Sequence, residues 1–146
     1  MNSLKLIDID KNNWETFCSM WPGNEGANFV STNAYSLTQS YFEGFWITKG
    51  ITHENKPVGF AMYGFDQENK RYELCRLMIN STSQGNGFGK NVIPMIVADM
   101  INRFQCKHIF LSTGAKNQRA IKLYKFFGFL ETGEILDNEV VFCLEV

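Results

Sequence analysis

Apolar and polar residues alternate from Leu4 to Ile9, the period of a strand with one face in a core. Asn12 or Asn13 then stands where a helix cap belongs, ahead of Trp14, Phe17 and Cys18 on one side of a short helix. Pro22-Gly23-Asn24 breaks that helix. A second helix is predicted to start at Ser31, Thr32 or Asn33 and to run through Tyr41. Phe45 to His53 reads as a strand, Glu54-Asn55-Lys56 as a turn, and Pro57 to Phe65 as the returning strand of a hairpin. After the polar turn Gln67 to Lys70, Arg71 to Ile79 makes a third strand of the meander.

From Val92 to Phe104 the apolar spacing becomes helical, with Ile93, Ile96, Val97, Met100, Ile101 and Phe104 keeping one face. Pro94 lies inside this helix and cannot bond the carbonyl of Lys90, so a bend or an irregular first turn is expected. His108 to Ser112 reads as a short buried strand. Asn117 to Phe127 is a helix with Ala120, Ile121, Tyr124 and Phe127 on one face, and Gly128 occupies the place of a C-cap glycine. Two last strands, about Phe129 to Ile135 and Glu139 to Val146, flank Asp137-Asn138. The order is βααβββαβαββ. Strands that first form hairpins and then alternate with helices imply an α/β (α+β) chain with a mixed sheet and helices on both faces. The crossover from strand 71–79 to strand 108–112 should be right-handed.

Composition narrows this picture. At 146 residues and 45% hydrophobic content, residues 1–146 fit a single domain with a full core. The formal net charge of −1 gives no bulk attraction to nucleic acid or to an anionic membrane. Cys18, Cys75, Cys106 and Cys143 form no CxxC pair and read as reduced core thiols of a cytoplasmic protein. His53 and His108 lack ligand spacing, so no metal site is expected. The N-terminus, with Asp8, Asp10 and Glu15, is not a signal peptide, and no apolar run reaches membrane-spanning length.

The candidate chemistry begins at Gln84-Gly-Asn-Gly-Phe-Gly-Lys90, just after the apolar Leu77-Met78-Ile79. Glycine at alternate positions strips side chains from backbone at a helix start, where free N–H groups favour an anion such as phosphate. A mononucleotide loop fails on spacing: Gly85 and Gly89 enclose three residues and Asn91 follows the lysine. A dinucleotide fingerprint fails at its third glycine, which is Lys90, and follows a meander rather than a βαβ unit.

What remains is Gln-x-x-Gly-x-Gly, from Gln84 through Gly87 to Gly89, which resembles motif A of the GNAT superfamily of acyl-CoA-dependent N-acyltransferases. Asn117-x-x-Ala120-x-x-x-Tyr124-x-x-x-Gly128-Phe129 resembles motif B of the same family. The element order from residue 3 to the C-terminus matches as well. Pro57 to Tyr63 with Arg76 to Ile79 looks most like the bacterial spermine/spermidine acetyltransferase branch.

The resemblance implies an acetyl-CoA-dependent N-acetyltransferase that moves an acetyl group to a primary amine by direct attack on the thioester. Acetyl-CoA is the co-substrate and no metal takes part. N–H groups across Gly85, Asn86, Gly87, Phe88, Gly89 and Lys90 would grip its pyrophosphate, with Gln84 opening the motif and Lys90 adding a positive charge. Backbone of Leu77, Met78 and Ile79 would pair with the pantetheine arm, one N–H polarising the thioester carbonyl. Asn117 and Ala120 would lie near that arm, although asparagine at 117 also serves as a plain N-cap. Tyr124 would donate a proton or hydrogen bond to the leaving thiolate; otherwise it packs on its helix's apolar face.

An alkylamine acceptor is mostly charged at neutral pH, so it must lose a proton. Some family members carry a glutamate where this chain has Cys75. Glu73, two residues earlier on the same strand face, could act through water, or could be a glutamate on a solvated face. Cys75 as an acylated nucleophile lacks an evident histidine partner. The acceptor site is expected from residues 18–45, with Trp21, Phe29, Tyr35, Tyr41, Phe42, the nearby Trp46, and the acids Glu25 and Glu43. The acceptor is a small-molecule amine, for which a polyamine such as spermine or spermidine is one choice. A protein N-terminus or lysine is another, and a non-catalytic acyl-CoA-binding or sensing domain is a third reading. The family also implies a homodimer.

Overall fold

The computed structural model describes residues 3–146. Its strands form one seven-stranded sheet in the order β1-β2-β3-β4-β5-β7-β6. They are β1 (Leu4–Asp8), β2 (Trp46–His53), β3 (Lys56–Asp66), β4 (Arg71–Ile79), β5 (His108–Gly114), β6 (Leu130–Leu136) and β7 (Glu139–Glu145). Every neighbouring pair is antiparallel except β4 and β5, which are parallel. The sheet is mixed and mostly antiparallel, as the hairpin pattern predicts.

Local chemistry explains most boundaries. Glu54-Asn55 and Asp137-Asn138 both take positive φ at two successive residues, the geometry of tight hairpin turns. The Thr32 side chain caps α3 (Asn33–Glu43) by accepting from the Tyr35 N–H at 3.1 Å. At the end of α5 (Gln118–Phe126), the N–H groups of Gly128 and Phe129 return to the carbonyls of Lys125 and Tyr124, a Schellman closure.

Three readings need correction. Pro22 does not simply break the chain: it precedes a one-turn helix, α2 (Gly23–Gly26), between α1 (Trp14–Cys18) and α3, so the observed order carries an extra helix. Four residues are too short for a hydrophobic period to reveal. The Asn13 side chain stands at the N-cap of α1 but reaches backwards, accepting from the Asp10 N–H and donating to the Asp8 carbonyl. The helix α4 (Phe88–Phe104) starts within the glycine stretch, ahead of its apolar spacing from Val92, and includes Pro94. Pro94 is exposed, so the Lys90 carbonyl it leaves unbonded lies on the solvent side.

Successive residues of β3 point to opposite faces and divide the core. Ala61 and Tyr63 join Leu74, Ile109, Leu111 and Phe142 under Val92, Ile96 and Met100 of α4 and Ile121 of α5. Phe60, Met62 and Met78 face the other way, against Met20 and Leu37. On that second face Asn33 ties α3 down, donating to the Phe17 carbonyl at 2.8 Å and to the Met78 sulfur at 3.6 Å. Helices thus cover both faces of the sheet.

Candidate functional site

The register of β4 builds the site. Along β3 it is paired from Gly59↔Ile79 to Asp66↔Arg71. Met62 lies opposite Arg76 and Tyr63 opposite Leu74, so Cys75 is the extra residue of a β-bulge. On its other edge β4 meets β5 at the single rung Glu73↔Phe110. Beyond that rung the two strands part, and a cleft of about 210 Å³ opens between them. Cys75, Arg76 and Leu77 form one wall; Leu111, Ser112 and Thr113 form the other; Asn117 at the cap of α5 and Ala120 and Tyr124 within it border the cleft, and Phe29 and Glu139 are among its other lining residues.

Tyr124 is half-buried, and its ring meets Phe129 edge-on at 5.8 Å. Burial alone pushes its phenol up to about 12, so the hydroxyl stays protonated at neutral pH. Among the described residues no protein group hydrogen-bonds that hydroxyl, although it lines the cleft. Asn117 has two jobs. Its oxygen caps α5 through the Ala120 N–H at 3.4 Å, and its amide donates to Thr113 Oγ1 at 3.1 Å, tying the helix to the β5 wall.

The glycine loop continues from the far end of β4. A short 3₁₀ turn, Ser81–Ser83, leads into it. Gln84 Nε2 donates to the Ile79 carbonyl at 3.0 Å and to the Pro22 carbonyl at 2.8 Å, holding the loop against the strand and against α2. Asn86 donates to the Ser83 carbonyl at 2.9 Å. Gly85 and Gly87 have φ of +84° and +76°, a conformation that side chains resist, and a Cβ on Gly85 would point into open space. Gly87 is the N-cap of α4 and supplies no side-chain cap, so the first-turn N–H groups are left for another acceptor. Phe88 turns its ring inward onto His53, with centroids 4.7 Å apart. Lys90 carries its ammonium over the Phe126 ring of α5, 4.3 Å from the centroid. Its charge therefore sits on an aromatic face beside the loop.

Leu77, Asn117, Ala120 and Tyr124 converge on the cleft, whereas Met78, Ile79 and the glycine loop lie beyond its end. Glu73 lies at the last paired rung, on the face that carries Met62 and Arg76. Burial, then the neighbouring Asp66, raises its carboxyl from 4.5 to about 7, against the opposing pull of Arg71 and Arg76. Burial also pushes the Cys75 thiol up to about 12, which keeps it protonated and unfit as a nucleophile. Asp66 stays ionised: burial works against it, but hydrogen bonds from Asn69 and the Glu68 N–H hold it below the ordinary carboxylate range.

Of the aromatic segment, Phe29 lines the cleft, while Trp21, Tyr35, Tyr41 and Phe42 are exposed. Glu43 is engaged by Trp46 Nε1 at 2.6 Å and by Gln39. Sequence reasoning missed Arg76, Ser112 and Glu139. The bulge turns Arg76 onto the face of Glu73. Glu139 reaches the cleft only because β7 pairs with β5, which sets Gly114 against Glu139. Neither fact has a local signal. Among the described residues no cluster of His, Cys, Asp and Glu could hold a metal ion, and no helix is long and apolar enough to cross a membrane.

Residues 9–129 match the model of the acetyltransferase (GNAT) family. Over 92 residues the chain is 39% identical to a spermine/spermidine N(1)-acetyltransferase of Bacillus subtilis (strain 168). That stretch spans 59% of this chain and 60% of the relative's length. A spermidine N-acetyltransferase from Vibrio cholerae, solved with CoA and spermine, superposes with a TM-score of 0.76 at 14% identity, covering 99% of this chain and 95% of that one. An acetyltransferase from Salmonella typhimurium that modifies the N-terminal serine of ribosomal protein L7/L12 gives the same TM-score of 0.76 at 12% identity, covering 100% and 96%. One backbone therefore serves two acceptor chemistries, and fold likeness cannot choose between them.

Proposed function

Because the chain belongs to the acetyltransferase (GNAT) family, we propose that it transfers an acetyl group from acetyl-CoA to a primary amine, a polyamine being the preferred acceptor. The observation that carries this reading is the cleft where β4 leaves β5, bordered by the free hydroxyl of Tyr124. The 39% identity to a spermine/spermidine acetyltransferase supports the polyamine choice.

The first-turn N–H groups of α4 and the backbone of the glycine loop hold the pyrophosphate. The edge of β4 at Leu77, Met78 and Ile79, unpaired toward β5, hydrogen-bonds the pantetheine arm and sets the thioester in the cleft. The neutral amine attacks the carbonyl carbon. A C–N bond forms, and a β4 N–H stabilises the oxyanion. The C–S bond then breaks, and Tyr124 gives its proton to the departing sulfur. Glu73, raised to about 7, accepts the ammonium proton through water. The enzyme works through this acetyltransferase domain in the cytoplasm, paired as a homodimer and without nucleic acid or membrane partners.

The test is thiol release from acetyl-CoA against spermine, spermidine, aminoglycosides and peptides with free N-termini. Turnover with polyamines supports the reading. Turnover only with peptides would move it to protein N-termini. Tight acetyl-CoA binding without turnover on any acceptor would make the chain a sensing domain.

A further inference from the structure

We infer that Glu139 holds a second, non-reacting cation of the acceptor, so the cleft selects amines that carry another positive nitrogen along an alkyl spacer. This rests on the acetyltransferase reading above and adds a residue to it. Glu139 opens β7 opposite Gly114 and lines the same cleft as Tyr124. Its Oε1 accepts from Ser112 Oγ at 3.0 Å, which fixes the carboxylate on the β5 wall.

Among the described residues Glu139 is the one acid of the cleft lining, and no ion pair engages it. Four ion pairs occur among the described residues: Lys49–Asp8, Arg71–Glu134, Arg103–Asp99 and Lys125–Glu131. None includes Glu139. Arg76 also lines the cleft, but its guanidinium turns to the Cys75 carbonyl and sulfur and to Gln39 of α3. Asp66 and Glu73 lie on that side, where Arg71 and Arg76 pull Glu73 down. An ammonium entering the cleft therefore meets one fixed, unpaired carboxylate.

That carboxylate suits a nitrogen that stays charged. A carboxylate beside an ammonium favours its protonated form, which would make it a poor nucleophile. The reacting nitrogen must be neutral, so Glu139 serves the other end of a diamine. A monoamine of equal length has nothing to place there.

The test compares Glu139→Gln with the unaltered protein on spermidine, on a linear diamine and on a monoamine of matched length, with acetyl-CoA affinity measured directly. The KM for the diamine and for spermidine should rise about tenfold, the loss of one charge-assisted contact, while the monoamine KM and acetyl-CoA affinity stay unchanged. Ser112→Ala should give a smaller rise of the same kind, and it carries the test if Glu139→Gln does not fold. Equal shifts for monoamine and diamine, or none for either, overturn the assignment of Glu139 and leave the acetyltransferase reading intact. If the unaltered protein acetylates no amine, both fall.

Discussion

Strand β4 has two edges, and they are built for different ends. Toward β3 it is paired from Gly59↔Ile79 to Asp66↔Arg71, with one bulge. Toward β5 it is paired at Glu73↔Phe110 and then left open. The closed edge satisfies its backbone groups within the sheet and gives stability. The open edge leaves backbone donors and acceptors without a β5 partner, and the pantetheine arm proposed above would satisfy them. The Cys75 bulge lies between the two regimes, since it adds a residue to β4 at the place where β5 departs.

Substitutions on the two edges should therefore fail differently. The largest effect belongs to the open side. Tyr124→Phe should lower kcat about a hundredfold with acetyl-CoA affinity unchanged, as expected for loss of a general acid. Unaltered turnover on good acceptors would make Tyr124 a packing residue.

On the closed side, a Cβ at Gly59 would lie 2.5 Å from the Met78 carbonyl oxygen. Gly59→Ala should cost about 2–3 kcal/mol in denaturant unfolding, with kcat per folded molecule retained. A fall in kcat without loss of stability would mean that the two edges are not separable.

Glu73 sits where the edges meet, and its raised pKa makes a pH prediction. The folded state keeps its proton up to about pH 7, whereas the unfolded chain releases it near 4.5. The folded state thus binds more protons between those values, and stability falls as pH rises through that window. The loss is on the order of 3 kcal/mol, and Glu73→Gln should flatten it in thermal melts taken from pH 4 to pH 8. If Glu73 also takes the proton from the amine, the rise of kcat/KM near pH 7 should vanish in the same variant.

The smallest effect is expected at the loop. Gly87→Ala forces a side chain into φ of +76° and should cost about 1 kcal/mol of strain, seen as a severalfold rise in acetyl-CoA KM. An unchanged KM would separate the loop from the donor site.

Much of this arrangement is legible locally. The hairpin turns at Glu54-Asn55 and Asp137-Asn138, the cap at Thr32 and the closure at Gly128 are each written in a few neighbouring residues. The motif residues Gln84 to Gly89 and Asn117 to Tyr124, which carry the proposed donor site, are recognised in the same local way. The acceptor side is not written like this. The aromatics of residues 18–45 suggest a binding wall, yet Tyr41 and Phe42 stand in solvent and only Phe29 reaches the cleft. A helix of four residues, α2, has no period to read.

The chain by itself determined the elements, the glycine turn and the tyrosine on α5, because caps, turns and helical spacing act over a few residues. Tertiary structure alone decided that β4 would leave β5 after one rung, that the bulge would fall at Cys75, and that Glu139 would face the same cleft as Tyr124. Those outcomes depend on which strands become neighbours, and strand order is set by packing across the whole sheet.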